Sequence, residues 1–479
     1  MHTIDLGIIF LFLVLIFIYG TRSGRHIETM NHYFSGDRTL PWWAVSLSIV
    51  ATETSVLTFL SIPALSYMGN FFFLQLTVGY ILGRYLVVRF LLPLYIDGQY
   101  ISPYQAVGKY AGRNMQRLVS AAFLVTRLLA DGVRLFAVAI PLSMITGWSF
   151  VMSIWVIGAV TLIYTLLGGI KAVVWMDVAQ WIIYITAALV TAFILLRLLK
   201  GMDIAVFSEL AAAGKLRMLN FNMDFSDYNP VSGLLGGALL SMSSHGTDQL
   251  IVQRVLSCRN SRESALSLLS SGYIVFIQFS LFLFIGSLLW LFWQGADYSS
   301  LGISRGDELF TKFIIENLPP VVKGITVAGI FAAAMSTLSS SLNALASSTM
   351  VDILPDAGLK RLDGKQQLKL SRAITFVWGF VMIGGASLFT GMTNPLVEIG
   401  LGIASFTYGS MLALFLLLRF FPKGPDASYM LSFFISLLSM ILIIRSGALH
   451  YTWYIAIGVS ISFAVWGIFY FFSRRLSSR

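Results

Sequence analysis

Cysteine is almost absent from this chain. Cys258 is the only one, which leaves no disulfide framework and no thiolate metal site to hold the protein together. Charge is scarce as well: Asp, Glu, Lys and Arg make up 11% of the 479 residues, against roughly 25% in soluble domains. Long polar segments are missing. The longest, near 200–230, 298–312 and 355–372, are too short for an appended soluble domain. No nucleophile–base pair, metal-ligand cluster or phosphate-cradling glycine loop is present, so nothing in the sequence supports an enzyme. The start of the chain lacks a basic n-region and a small-residue cleavage site, and the apolar run Ile4–Tyr19 reads as a retained helix.

What the chain has is apolar surface. Hydrophobic residues are 57% of the sequence and mean hydropathy is +0.81. Apolar segments recur at about 4–21, 41–60, 71–95, 117–146, 149–168, 173–198, 231–256, 267–294, 320–350, 370–391, 395–420, 427–446 and 451–473. Each is near or above the roughly 20 residues that a helix needs to cross the hydrocarbon. The expectation is an all-α polytopic membrane protein of about thirteen transmembrane helices.

The net charge of +10 is explained by where the basic residues fall. With the N-terminus outside, the cytoplasmic loops hold Arg22, Arg25, Arg38, Lys109, Arg113, Arg117, Lys171, Arg259, Arg262, Lys360, Arg361, Lys365, Lys369, Arg372 and Lys423. The tail adds Arg474, Arg475 and Arg479, while the opposite loops carry chiefly Lys200, Lys215, Arg217 and Arg305. This is the positive-inside distribution of a plasma-membrane protein with a cytoplasmic C-terminus. A nucleic-acid partner is not needed to account for it.

Two segments are interrupted by polar residues at mid-membrane. The second reads Ser46-Leu-Ser-Ile-Val-Ala-Thr-Glu-Thr-Ser-Val-Leu-Thr58; the seventh contains Ser241-Met-Ser-Ser-His-Gly-Thr-Asp-Gln249. They open two sets of five helices, 41–198 and 231–420, flanked by an extra helix at 4–21 and two more at 427–473. An odd number of helices per set inverts the second relative to the first. Paired interrupted helices are the sequence mark of a transporter's midplane site.

The ninth segment carries Ala332-Ala-Ala-Met-Ser-Thr-Leu-Ser-Ser-Ser-Leu-Asn343. At helical spacing Ala333, Ser336, Thr337 and Ser340 share one stripe, and Ser336, Ser339, Ser340 and Asn343 an overlapping one. A row of neutral oxygens suits a hard cation such as sodium. Small hydroxyl residues also let helices pack closely, and the stripe alone does not choose between the two readings.

Ionisable residues within the segments point to function by default. Glu53 lies at the break of the second segment, where it is either a site carboxylate or the partner of a basic neighbour. Asp177 is either a helix-start acid or the formal negative charge of a cation site. Arg127, Asp131 and Arg134 share a helical face and read as an internal ion-pair ladder. Asp248, Gln249, Gln253 and Arg254 close the seventh segment as a gate or a helix-end network; His245 alone says little.

Four stretches resemble the sodium/solute symporter family. They are Tyr33-Phe-Ser-Gly-Asp-Arg-Thr-Leu-Pro-Trp-Trp43, Leu167-Gly-Gly-Ile-Lys-Ala-Val-Val-Trp-Met-Asp-Val-Ala-Gln180, Gly246-Thr-Asp-Gln-Leu-Ile-Val-Gln-Arg254 and Phe331–Asn343. The resemblance implies a LeuT-type core of two inverted five-helix repeats and sodium-driven alternating access. Matched residue by residue, it puts a principal sodium site on Ala51, Thr54, Ala333, Ser336 and Thr337. It puts a second site on Asp177, Ser336, Ser339 and Ser340, so one or two sodium ions would serve as coupling ion.

The substrate region departs from the similar sialic-acid branch. Glu53 stands where that branch has a threonine, and the arginine that holds the carboxylate there matches near Ala130–Asp131, with Arg127 and Arg134 a turn away. An added carboxylate favours a sugar, polyol or zwitterion over an anion. Read from the two interrupted helices and the facing third segment, Ser55, Thr58, Gln75, Tyr80 and Ser244 join Glu53 as candidate solute-binding residues. The expected function is sodium-coupled import of a small polar solute, by a chain that sits in lipid and works as a monomer. A solute-binding sensor of the same fold is the alternative, and an enzyme or ungated channel is disfavoured.

Overall fold

The computed structural model describes residues 2–23, 27–96, 100–222, 228–354, 359, 361–389, 396–422, 424–447 and 449–477. Arg25, Lys360, Lys423 and Arg479, and the facing ends of the tenth and eleventh predicted segments, lie outside them. The described residues form helices and their connections, with no β-strand. The first helices are α1 (Thr3–Ser23), α2 (Trp42–Glu53), α3 (Val56–Met68), α4 (Phe73–Leu86, continued through a π-turn to Tyr95), α5 (Pro103–Thr146) and α6 (Phe150–Gly201). There follow α7 (Gly237–Gly246), α8 (Gln249–Val255), α9 (Ser261–Phe292), α10 (Leu309–Asn317) and α11 (Val322–Ser348). The last four are α12 (Gly364–Ala386), α13 (Leu396–Phe420), α14 (Asp426–Ser446) and α15 (Tyr454–Ser477).

Helix falls within each of the thirteen expected segments, but the boundaries differ. Among the described residues nine helices are long and apolar enough to cross a membrane, ten when the bent pair α2–α3 counts as one span. Thr3–Tyr19 and Phe150–Ile163 are apolar but shorter. The fifth and sixth segments run together as α6, interrupted where Gly169 takes φ of 57°. An added Cβ there would stand 2.9 Å from Ile27 Cδ1 and 3.0 Å from the Tyr33 carbonyl, so glycine is required twice over. The seventh segment is two short helices, α7 and α8. Its polar residues are buried against other helices, so lipid never selects for apolarity there.

Burial sorts the helices by role. In α11 every residue from Thr326 to Ser348 is buried, and 94% of its most apolar window lies inside the protein, against 28% for α15. α11 is therefore the axis of the bundle, and α15 a peripheral helix with a lipid-facing side. The most extensive packing of α11 is against α6. The side chain of Asp5 accepts hydrogen bonds from the Val321 and Gly324 amides at 2.9 and 3.1 Å, and so caps the start of α11.

Cys258, in the turn after α8, is also buried. Desolvation pushes its thiol up to about 12, which leaves it protonated and unreactive at neutral pH.

α4 and α7 approach closely through small residues. A Cβ on Gly237 would lie 2.2 Å from the Leu76 carbonyl and 3.1 Å from Gly79 Cα. Both obstacles are on backbone, which cannot swing aside as a side chain can. Gly237→Ala is expected to destabilise the fold by about 1–3 kcal/mol, seen as a lower melting temperature in detergent. Gly384→Ala, with nothing within 4 Å of the added methyl, should leave that temperature unchanged.

Candidate functional site

Both interrupted helices break at hydroxyl and acid residues that cap the next turn. The chain bends by 61° between α2 and α3. Thr54 leaves the helical region (φ −87°, ψ 82°), and the Ser55 side chain accepts from the Leu57 amide to start α3. The Ser55 amide turns to the Glu53 carbonyl at 3.2 Å. In an unbroken helix that amide would bond the Ala51 carbonyl, so the break takes Ala51's oxygen out of the ladder. Between α7 and α8, Asp248 does the same work: its carboxylate accepts from the Leu250 amide at 2.8 Å.

The hydroxyl stripe of α11 faces the α2 break on one side and α6 on the other. Thr337 Oγ1 donates toward the Thr52 carbonyl and its own Ala333 carbonyl, each at 3.3 Å. Ser340 Oγ lies 3.4 Å from Thr52 Oγ1. Ser336 Oγ donates to Asp177 Oδ1 at 2.6 Å, joining α11 to α6 across 159 residues of sequence. Ser48, from α2, donates to Asp177 Oδ2 at 2.5 Å. The contacts among α2, α6 and α11 thus involve Thr337, Ser336, Ser340 and Asp177 of the expected cation sets; Ala51 and Thr54 lie at the α2 break. Ser339 instead bonds back to the Ser336 carbonyl at 3.1 Å. Arg254 reaches the same place from α8, pairing with Asp177 at 3.3 Å and donating to Ser340 Oγ.

Next to this junction is an internal cavity of about 100 Å³. Its polar wall includes Thr52, Glu53, Ser55, Thr58 and Tyr80 from α2–α4, Arg127 and Arg134 from α5, Ser244, His245 and Asp248 from α7–α8, and Tyr408 from α13. Five of the six expected solute residues line it. Gln75 does not: its amide turns to the Phe72 carbonyl at 3.3 Å and its Cβ abuts Gly233. A larger crevice of about 910 Å³ lies between α5, α13 and α14. Its walls are mostly apolar and hold no residue of either broken helix, so the smaller cavity is the functional candidate.

Every charge around this cavity has a partner of opposite sign. Glu53 pairs with Arg84 of α4, and its carboxylate lies 3.4 Å from His245 Nε2. His245 Nδ1 sits 3.1 Å from the Ser241 carbonyl, and Nε2 lies 2.9 Å from the Arg84 guanidinium. This geometry fits an imidazole that donates at Nδ1 and accepts at Nε2. Across the cavity Arg134 pairs with Asp131 at 2.6 Å, and Arg127 bridges Asp131 at 3.6 Å and Asp248 at 2.7 Å. The Tyr408 hydroxyl completes that set by donating to Asp248 at 2.5 Å. The expected ladder of Arg127, Asp131 and Arg134 is present, extended to a second helix break. Arg84 and Tyr408 went unread in the sequence. An unpaired acid in the second segment and an arginine in the third could have been matched by charge alone.

An all-helical bundle with apolar spans, two broken helices and a polar cavity beside them defines a membrane transporter. The comparisons make the class specific. A profile of the sodium:solute symporter family matches residues 33–424, and the chain belongs to that family. It is 25% identical over 466 residues to the sodium/sialic acid symporter NanT of Aliivibrio fischeri, covering 95% of this chain and 90% of that one. Against the sodium-dependent multivitamin transporter of Oryctolagus cuniculus it is 26% identical over 457 residues, covering 92% of this chain and 71% of the relative. The structure of a Na+-coupled sialic acid symporter in a substrate-bound, outward-open state superposes with a TM-score of 0.87 at 25% identity, over 98% of this chain and 97% of the other. The protein is a sodium-coupled symporter of a small solute working by alternating access, and not an enzyme.

The paired charges make a stability prediction. Arg84→Met strands the Glu53 carboxylate in a largely buried place, and should cost about 3–5 kcal/mol. The double variant Glu53→Gln/Arg84→Met should recover most of that loss, as read from thermal unfolding in detergent.

Proposed function

We propose that the protein imports a neutral or zwitterionic polar solute, such as a sugar or polyol, together with sodium, through the plasma membrane. One observation carries the substrate class: the charges lining the cavity cancel. Glu53 is balanced by Arg84, and Arg127 and Arg134 by Asp131 and Asp248. An anion would have to displace one of these carboxylates from its arginine, whereas hydroxyls can bond to Glu53, Ser55, Thr58, Tyr80 and Ser244 without separating any pair. The relatives named for sialic acid carry an anion, so Glu53 marks a divergence from them.

The principal sodium site is proposed on the Ala51 and Thr54 carbonyls, the Ala333 carbonyl, and the Ser336 and Thr337 hydroxyls. The freed Ala51 oxygen supports it. So does the position of Thr337, which already spans from α11 to α2. Sodium there would bridge the broken helix to the bundle axis and hold the solute cavity together; its departure would let the two separate. Differential affinity for the two states couples the fluxes, and the membrane potential adds about 2.3 kcal/mol per charge per 100 mV. Asp177, Ser336, Ser339 and Ser340 form the proposed second cation position.

The proposed architecture has thirteen spans, with inverted repeats at 41–198 and 231–420 and extra helices at 4–21 and 427–473. A cytoplasmic C-terminus and single-chain function complete it. The bias of basic loop residues supports the orientation.

Uptake into proteoliposomes tests the reading. Under an inward sodium gradient, a neutral sugar or polyol should accumulate, potassium should not replace sodium, and an acidic sugar should enter far more slowly. Thr337→Ala should raise the sodium requirement about tenfold, the equivalent of ~1.4 kcal/mol. Uptake indifferent to sodium, or an acidic sugar carried as fast as any neutral one, contradicts it.

A further inference from the structure

The crevice of about 910 Å³ between α5, α13 and α14 has a polar mouth and an apolar depth. Glu398 and Arg445 stand at the mouth, in the first turn of α13 and the last turn of α14, and His450 and Tyr451 line it with them. Basic and aromatic residues at span ends lie at the headgroup level of a bilayer. From Arg445 the crevice follows α14 to Phe433, a length of about 18 Å at the rise of a helix. One leaflet of hydrocarbon is roughly 15 Å deep, half of the bilayer core.

The inner walls suit an acyl chain. Val125 and Leu129 of α5 are 60% and 41% exposed, although the same helix lines the solute cavity with Arg127 and Arg134. Ala122 and Gly402 offer little side chain to fill the gap, and nothing lies within 4 Å of a Cβ added at Gly402. The polar pair in the wall is already satisfied, because the Thr126 and Thr407 hydroxyls bond each other at 2.8 Å. Nothing in the depth of the crevice calls for a polar ligand.

The mouth selects a headgroup. Arg445 is exposed and has no ion pair among the described residues; a guanidinium there suits a phosphate. Glu398, whose carboxylate lies 3.5 Å from the Tyr228 hydroxyl, repels a lipid of net negative charge and attracts an ammonium. An acid and a base in one mouth complement a headgroup that carries both charges.

We propose that this crevice binds one zwitterionic phospholipid of the ethanolamine class, with its phosphate on Arg445, its ammonium toward Glu398 and an acyl chain along α14. The lipid rests on α5 and α13, two helices that also line the solute cavity.

Native mass spectrometry of the purified chain, titrated with defined phospholipids, tests it. The wild type should bind one phosphatidylethanolamine in preference to phosphatidylglycerol. Arg445→Ala should weaken that binding about fivefold, the worth of one basic residue at a lipid surface. Glu398→Gln should erase the preference between the two lipids, and Gly402→Phe, which fills the crevice, should abolish binding. Leu442→Phe, at a position of α14 that is 70% exposed and outside the crevice, should change nothing. If Gly402→Phe fails to fold, the Arg445 and Glu398 variants decide. Equal binding of the two lipids by the wild type, or a preference that survives both Arg445→Ala and Glu398→Gln, marks only the general lipid shell and overturns the proposal. So does a wild type that retains no lipid but forms dimers that Gly402→Phe breaks, because a second copy of the chain would then fill the crevice.

Discussion

A helix that breaks inside a membrane releases carbonyls and amides that lipid cannot satisfy, so the protein must supply partners for each. The rest of this structure follows from that constraint. At the α2–α3 break Ser55 takes up the Leu57 amide and Thr337 reaches the Thr52 carbonyl; at the α7–α8 break Asp248 takes up the Leu250 amide. Two of these partners are local caps; the third comes from α11, which can offer a hydroxyl because the helix is buried from Thr326 to Ser348 and its polar residues do not meet hydrocarbon. A row of serines and a threonine that would be a liability on α15 is a bonding surface here. Oxygens released from one ladder and hydroxyls offered by the other meet at one junction.

The same constraint governs charge. Burying an unpaired ion is costly, and breaking a buried pair is costlier than never having had it. The acids and bases are accordingly matched across helices, α2 with α4, α5 with α8 and, beside the cavity, α6 with α8, while along α5 itself Asp131 is held by Arg127 and Arg134. Each pair across helices ties two of them, so that breaking the tie would cost a buried, unpaired charge. The pairs therefore set which helices travel together, and a solute that left them intact would be carried without rearranging them.

Much of this was legible in the sequence. The hydroxyl stripe on Ala333, Ser336, Thr337 and Ser340 follows from helical spacing alone, and the breaks from Thr-Glu-Thr-Ser and His-Gly-Thr-Asp. The junction of Asp177 with Ser336 came through the family resemblance, since nothing local joins residues so far apart. Arg84 was missed although Glu53, in the preceding segment, offered a charge to match it; which of the basic residues met that acid is a tertiary contact. Gln75 was misplaced although the helix geometry argued against it. Five residues from Tyr80 is a rotation of about 140°, so the two cannot face one cavity. The segment at 231–256 reads as one span in the sequence, and its division into α7 and α8, each too short to cross alone, is set by the polar residues buried at the break.

The central claim is that sodium stabilises the contact between the α2 break and α11. Hydrogen–deuterium exchange of the purified protein in sodium and in potassium measures it directly. Peptides containing Ala51–Ser55 and Ala333–Thr337 should exchange more slowly in sodium, with peripheral α15 unaffected. Equal exchange in the two salts at both peptides would contradict the account.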